Sequence, residues 1–498
     1  MITSIAPTRM HRVAVLCAAV VTLSGCSDSK TPQEPTPSPV ASVVVSPTEV
    51  SLVLGQTQPQ QLTATMRDQA GNPLVGRAVA WATSAPAVAT VSSDGMVTGV
   101  GAGSATINAT SEGKTGSASV AVSLPPGFAS VVTGGAHTCA LKANGAASCW
   151  GRGESGQLGV PVPTTMCTTD GGSFPCSMIP IAVQGGLVFA QLAGGGSHTC
   201  GLTSDGTPHC WGSNANGQLG DNSTTNRDAP VAVATALKFS RIDAGAQHTC
   251  ALTSDGRAYC WGRNNRGQLG DGTTTLRSAP VAVIGGLTMQ RIAAGGLSFG
   301  HTCALVTGGD VYCWGDNERG QLGIGTGGTV ADLTPHPEPV KVGGGLTFTA
   351  VTAGLGRHTC GLTSTGGGYC WGENAFGALG DGSFQRSAVP VLVRGGLVLS
   401  QLVAGGFIGH TCGLTVGGAA HCWGENETGQ IGDGSTLDRV EPSAVTGGLS
   451  FTSLDAGSRH TCGRATDGAV YCWGSGGAGQ LGINSTDAIA VPTKVAGQ

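Results

Sequence analysis

The chain has 498 residues, with 85 glycines, 24 prolines, a formal net charge of −4 and only 11% charged residues. At roughly 100–200 residues per domain this predicts two to four domains, and so little charge excludes a charge-rich disordered chain and a charged coiled coil. The near-neutral balance leaves no electrostatic footprint for nucleic acid, and 4% aromatics leave few platforms for stacking bases or sugars.

Residues 1–25 read as a secretory signal. Arg9, His11 and Arg12 form a basic start, followed by an apolar run of 11 residues from Val13 to Leu23. A spanning helix needs about 20 residues, so this run suits a signal-peptide core. It ends in Leu23-Ser24-Gly25-Cys26, which resembles a bacterial lipobox, with Cys26 as the residue that takes the lipid. Plain cleavage and secretion is the alternative. Ser27, rather than Asp, follows the cysteine; by resemblance to enterobacterial sorting this implies the outer membrane or cell surface, with the lipid as the membrane contact. Residues 26–39 carry four prolines and read as a stiff tether reaching roughly 40 Å in polyproline geometry.

Residues 40–123 alternate apolar and polar with many β-branched residues, as in ASVVVSP, QLTATMRD and SASVAVS. Short strands at close spacing predict a small β-sandwich, with Trp81 as its core anchor. The run WATSAPAVATVSSDGMVTGVGAGSATINAT resembles the bacterial Ig-like domain, group 2. That resemblance implies a spacer or an adhesion module.

From residue 128 to 498 the chain repeats. HTC recurs at His137, His198, His248, His301, His358, His410 and His460, at intervals of 50–61 residues. Each is followed by a cysteine opening CWG, and then by GQLG or a close variant. Seven units of about four short strands predict a seven-bladed β-propeller, so the expected fold is all-β: a propeller preceded by an Ig-like sandwich. The pattern GxxHTCALTSDGxxYCWGxNxxGQLG resembles the regulator of chromosome condensation repeat. The family implies seven blades; its nuclear founder promotes nucleotide exchange on a small GTPase, and secreted bacterial relatives bind an enzyme with one propeller face.

Eighteen cysteines point to an oxidising compartment or to metal. Setting aside Cys17 in the signal and Cys26 for lipid, fourteen fall into seven equally spaced pairs: Cys139 and Cys149, Cys200 and Cys210, Cys250 and Cys260, Cys303 and Cys313, Cys360 and Cys370, Cys412 and Cys422, and Cys462 and Cys472. Cys167 and Cys176 remain, inside extra residues of the first unit. A hairpin turning around Asp255 places Cys250 opposite Cys260, within reach of a disulfide. Zinc is the rival, but CxxC is absent and two cysteines supply half a site.

Seven histidines in one register admit a metal ring or a structural role; a hydrogen bond within each unit is the simpler expectation. The repeat tryptophans read as packing. Asp271 with Arg277, Asp381 with Arg386, Asp433 with Arg439 and Asp221 with Arg227 suggest a calcium loop or, more simply, salt-bridged turns. The string Gly296-Leu297-Ser298-Phe299-Gly300 fits the nucleophile-elbow pattern but runs straight into an HTC strand, where no helix follows. No catalytic residue, metal ligand or cofactor is assigned.

Binding residues are expected where the units differ while their frame stays fixed. The segments between CWG and GQLG qualify, and Arg263, Arg266, Arg319 and Phe376 are their candidate contacts. The expected function is a non-enzymatic, lipid-anchored propeller binding an unidentified protein at the cell surface. The alternatives are guanine-nucleotide exchange, implied by the family, and a propeller lyase or hydrolase.

Overall fold

A computed structural model describes residues 37–53, 59–101, 103–123, 127–169, 171–296, 300–406 and 409–498. The signal segment, Cys26 and the tether as far as residue 36 lie outside the described residues, as do Leu297–Phe299 of the elbow-like string. The chain divides into two compact units near Ala121. All regular structure among the described residues is strand.

In the first unit, Ser42–Ser46 pairs with Thr63–Arg67, which pairs with Pro73–Leu74. A second sheet orders Glu49–Val53, Lys114–Ser123, Gly103–Ser111 and Ala80–Thr83. Period-2 alternation is strict in SVVVS, where Val43 and Val45 are buried between exposed neighbours. Leu62, Val97, Ile107 and Val120 form the core. Trp81 does not anchor it: the residue is half-buried, because Ala80–Thr83 is an edge strand with no interior position.

The second unit contains seven successive antiparallel sheets, each formed in chain order from one repeat. The first also gains Met166–Thr169, paired with Gly172–Ala182. The opening strands of neighbouring sheets lie side by side, and that of the last, Phe451–Ala456, lies against Phe128–Thr133 of the first. The ring is therefore closed, as in a propeller. In each sheet the HTC and CWG strands are central and almost wholly buried, whereas the outer strand is half-exposed. Each outer strand carries a proline: Pro180, Pro230, Pro280, Pro339, Pro390, Pro442 or Pro492. An edge proline withholds a donor and discourages pairing with other chains.

The core lies between sheets. One cluster joins Cys200, Cys210 and Leu219 of the second repeat to Phe239, Ile242 and Trp261 of the third. The tryptophan indole donates across the same seam, from Trp261 Nε1 to the Gln218 carbonyl at 2.9 Å. GQLG thus belongs structurally to both its own sheet and the next one.

The central hairpins have the three-residue loop expected from the sequence. Thr253 pairs with Arg257 around Ser254-Asp255-Gly256, and Gly256 has φ +82°. A left-handed residue closing such a loop sets the register. That register puts Cys250 directly opposite Cys260, with Cα atoms 4.1 Å apart, and the two are joined by a disulfide. The other six repeat hairpins have the same register and the same bond. Cys139 is bonded to Cys149, Cys200 to Cys210 and Cys303 to Cys313. Cys360 is bonded to Cys370, Cys412 to Cys422 and Cys462 to Cys472. Cys167 is bonded to Cys176 across the extra hairpin of the first repeat. All sixteen of these sulfurs are therefore committed to one another, which leaves none of them as a zinc ligand.

Candidate interaction face

The same register brings the variable residues together. In every repeat the residue after CWG hydrogen-bonds the residue before HTC through the backbone: Arg263 N to Gln247 O, Glu373 N to Arg357 O and Ser475 N to Arg459 O are examples. Both segments of all seven repeats therefore lie at one end of the sheets. The TSDG-type hairpin turns lie at the other end.

This face is laced with ion pairs that cross from sheet to sheet. Arg266 approaches Asp316 at 3.6 Å and donates to Leu333 O at 2.9 Å. Arg319 pairs with Glu318 at 3.2 Å and Glu373 at 3.5 Å, and Arg357 reaches Glu318 at 3.5 Å. Arg459 pairs with Glu425 at 3.2 Å and Glu427 at 3.6 Å. Arg263 is held by the Gln247 and Asn265 side chains. The four candidate contacts thus share a face, all half-buried, and the three arginines also tie the frame together. Asp316 is 1% exposed; burial pushes its carboxyl up to about 6, against the lowering pull of Arg266 and Arg357.

Arg152, Glu154, Arg357 and Arg459 also belong to this face. Arg152 and Glu154 lie in the variable segment after CWG but were not singled out from it, and the residue before HTC was not weighed. The residue before HTC also varies from repeat to repeat, and that variation is the signal that finds Arg357 and Arg459.

The histidines are committed elsewhere. His137 Nε2 lies 2.9 Å from Thr199 Oγ1 of the next sheet, not from a partner in its own repeat as expected. Thr199 Oγ1 in turn donates to Gln157 O at 2.9 Å, back in the first repeat. The threonine proton is spent there, so Nε2 carries the imidazole proton and Oγ1 accepts it. The same relay recurs at all seven seams. Every ring is fully buried, which lowers its pKa to about 3 or 4, and Nδ1 has no hydrogen-bond partner among the described residues. No group of three or more His, Cys, Asp or Glu among the described residues is arranged to hold a metal ion.

Three of the four acidic turns are salt-bridged: Asp221–Arg227 at 2.7 Å, Asp271–Arg277 at 2.8 Å and Asp433–Arg439 at 2.7 Å. The fourth differs. Arg386 sits one residue early, so Ser387 takes the register position opposite Gly372, and Arg386 donates instead to Thr329 O at 2.9 Å. In a strand, one residue reverses the side a side chain faces.

A family model described as the RCC1-like domain matches residues 1–335 and 183–498. The ultraviolet-B receptor UVR8 of Arabidopsis thaliana is 31% identical over 373 residues, covering 65% of this chain and 71% of the receptor. Human HERC4, a probable E3 ubiquitin-protein ligase, is 35% identical over 147 residues, which is 29% of this chain; the match spans only 13% of the ligase. Among solved structures, yeast RCC1 (Prp20) in complex with Kap60 has a TM-score of 0.59 at 21% identity, covering 74% of this chain and 85% of that one. Human WBSCR16 has a TM-score of 0.59 at 22% identity, covering 70% and 89%. These two likenesses are of fold alone. The recurring HTC–CWG–GQLG frame, the closed ring of sheets and the span of the family match agree: this chain belongs to the RCC1-like domain family.

Proposed function

We propose that the protein is a non-enzymatic, protein-binding, seven-bladed propeller of a secreted bacterial branch of this family. In this reading an Ig-like module separates it from a lipid on Cys26, at the outer membrane or cell surface. The observation that carries the export is the disulfide in each of seven equivalent hairpins, joined by Cys167–Cys176. Such bonds persist in oxidising compartments and are rare in the cytosol. Nucleotide exchange on a small GTPase calls for a partner in a reducing compartment and fits this chemistry poorly. A lyase or hydrolase built on the imidazole ring would have to free its histidines from the threonine relays.

Protein binding is supported by the face itself, where Arg263 and Phe376 sit on a rigid, ion-paired frame. Changing both to Ala in the full chain, followed by chemical cross-linking on intact cells, tests it. Loss of a discrete protein adduct at unchanged melting temperature supports the reading; an unchanged adduct contradicts it. Cys26→Ser tests the anchor: the folded protein should leave the membrane fraction, and retention after a high-salt wash contradicts lipid anchoring.

A further inference from the structure

We propose that a pocket on this face, at the seam of the seventh and first sheets, receives an acidic side chain from the protein partner. The proposal rests on the protein-binding reading and names its recognition chemistry. The pocket has a volume of about 690 Å³ and is bounded by the first, second and seventh repeats.

Its existence follows from the seventh repeat. Of the seven segments after CWG, only Ser475-Gly476-Gly477-Ala478 carries no side chain larger than that of serine. At Gly476 the second to sixth repeats have Asn, which anchors the following loop, as Asn264 does through Asp271 and Thr273. Here a Cβ would lie 1.8 Å from Asp487 O, so the loop has closed over that site. The opposite wall is the extra hairpin of the first repeat. Cys167, Phe174 and Cys176 pack against Ala478, so the disulfide fixes the wall in place before any ligand arrives. Walls already in position lower the ordering cost of binding.

The lining selects charge. Two guanidiniums, Arg152 and Arg459, face the single carboxylate of Glu154. The carboxylates paired with Arg459, on Glu425 and Glu427, belong to the sixth repeat and do not line the pocket. Arg152 Cζ sits over the Phe174 ring, 4.3 Å from its centroid, and the guanidinium pairs with Glu154 at 2.8 Å. The ring contact and the ion pair position the guanidinium, which presents more donors than one carboxylate uses. The hydroxyls of Ser197 and Ser458 add donors. An incoming carboxylate meets guanidinium donors beyond those that Glu154, Glu425 and Glu427 engage, while its methylenes meet Phe174 and Ala478.

The test uses the full chain and a fluorescein-labelled peptide, Gly-Glu-Gly-Glu-Gly, read by anisotropy against its glutamine counterpart. The expected result is saturable binding of the glutamate peptide, at least tenfold tighter than the glutamine one. Gly477→Tyr should weaken it at least tenfold without lowering the melting temperature, since a Cβ there meets only Thr169 Cγ2, at 3.1 Å. Glu154→Gln should tighten binding several-fold by freeing Arg152, whereas a merely structural Glu154 would leave it unchanged or weaker. Equal affinity for both peptides, indifference to Gly477→Tyr, or inorganic phosphate binding as tightly as the peptide would each overturn the proposal. If the cellular adduct is lost in the double variant of Arg263 and Phe376 but kept in Gly477→Tyr, the pocket fails and the protein-binding reading stands. An adduct kept in both contradicts that reading itself.

Discussion

His460 Nε2 of the last repeat lies 2.9 Å from Thr138 Oγ1 of the first, and Thr138 Oγ1 donates to Gln480 O at 2.8 Å. This closes the ring of sheets. Among the described residues no strand is exchanged between the ends of the chain, so the seam is joined by side chains, by the packing of Phe128 and Trp150 against Leu481 and by single backbone hydrogen bonds such as Asn484 N to Met178 O at 2.9 Å.

Thr138→Val removes both of these hydrogen bonds while keeping the shape of the side chain. Two buried polar groups, His460 Nε2 and Gln480 O, then each lose a partner, though Gln480 O keeps Trp150 Nε1 at 2.9 Å. Unsatisfied buried groups cost about 1–3 kcal/mol each. With His460 Nε2 the one group left unsatisfied, the expected loss is about 1–3 kcal/mol by denaturant unfolding, with Thr138→Ser recovering most of it. An unchanged midpoint in Thr138→Val contradicts a structural relay.

The imidazoles make the fold acid-sensitive. Their folded pKa values, about 3 or 4, lie below the ordinary 6.5 because burial disfavours the charged ring. Below pH 6.5 the unfolded chain therefore binds more protons, and stability falls as pH falls. Each histidine contributes a slope of about 1.4 kcal/mol per pH unit between roughly pH 6 and 4. Asp243 and Asp316, raised to about 6, and Asp455, also raised, act in the opposite sense, because they gain protons in the folded state first. Seven histidines outnumber three carboxyls, so urea midpoints should fall steeply from about pH 6 to 4.5. A flat profile contradicts neutral burial.

Arg266 and Asp316 form a coupled pair. Arg266→Ala leaves a carboxylate of 1% exposure without its nearest cation and should destabilise the propeller by about 1–3 kcal/mol. Asp316→Asn in the same chain should restore part of that loss, a coupling that a double-mutant cycle measures. Additive effects would mean that the pair contributes nothing.

Each repeat disulfide closes a loop of about ten residues and is worth at most roughly 2–3 kcal/mol by chain entropy, less where the hairpin already favours closure. Replacing Cys250 and Cys260 together by Ser should lower stability by no more than that and leave the other seven bonds intact by mass mapping under non-reducing conditions. Free thiols at most repeat cysteines of exported protein would contradict the proposed oxidising compartment.

The hairpin register was legible because Cys250, Asp255 and Cys260 carry their own spacing, and a three-residue loop leaves one way to pair them. The partner of each histidine was not. It is the threonine of the next HTC, and contacts between sheets leave no periodicity within a repeat. Arg386 was misassigned because its spacing of five residues from Asp381, against six in the other turns, was not weighed, and strand pairing shows that the missing residue changes which side it faces. Trp81 was placed in the core by residue type, whereas an edge strand offered it only half-burial. The seam pocket depends on glycines at 476 and 477 and on an insertion folding back over them, and neither feature belongs to the repeat pattern.

The most direct test places a photo-cross-linking amino acid at Asn265, exposed between Arg263 and Arg266, or at Asp255, exposed on the opposite hairpin of the same repeat. Both variants are made in the full chain and irradiated on producing cells. A discrete protein adduct from position 265 and none from 255 is the predicted result. Adducts of equal yield from both positions, or from neither, would contradict a protein-binding face at the CWG end of the propeller.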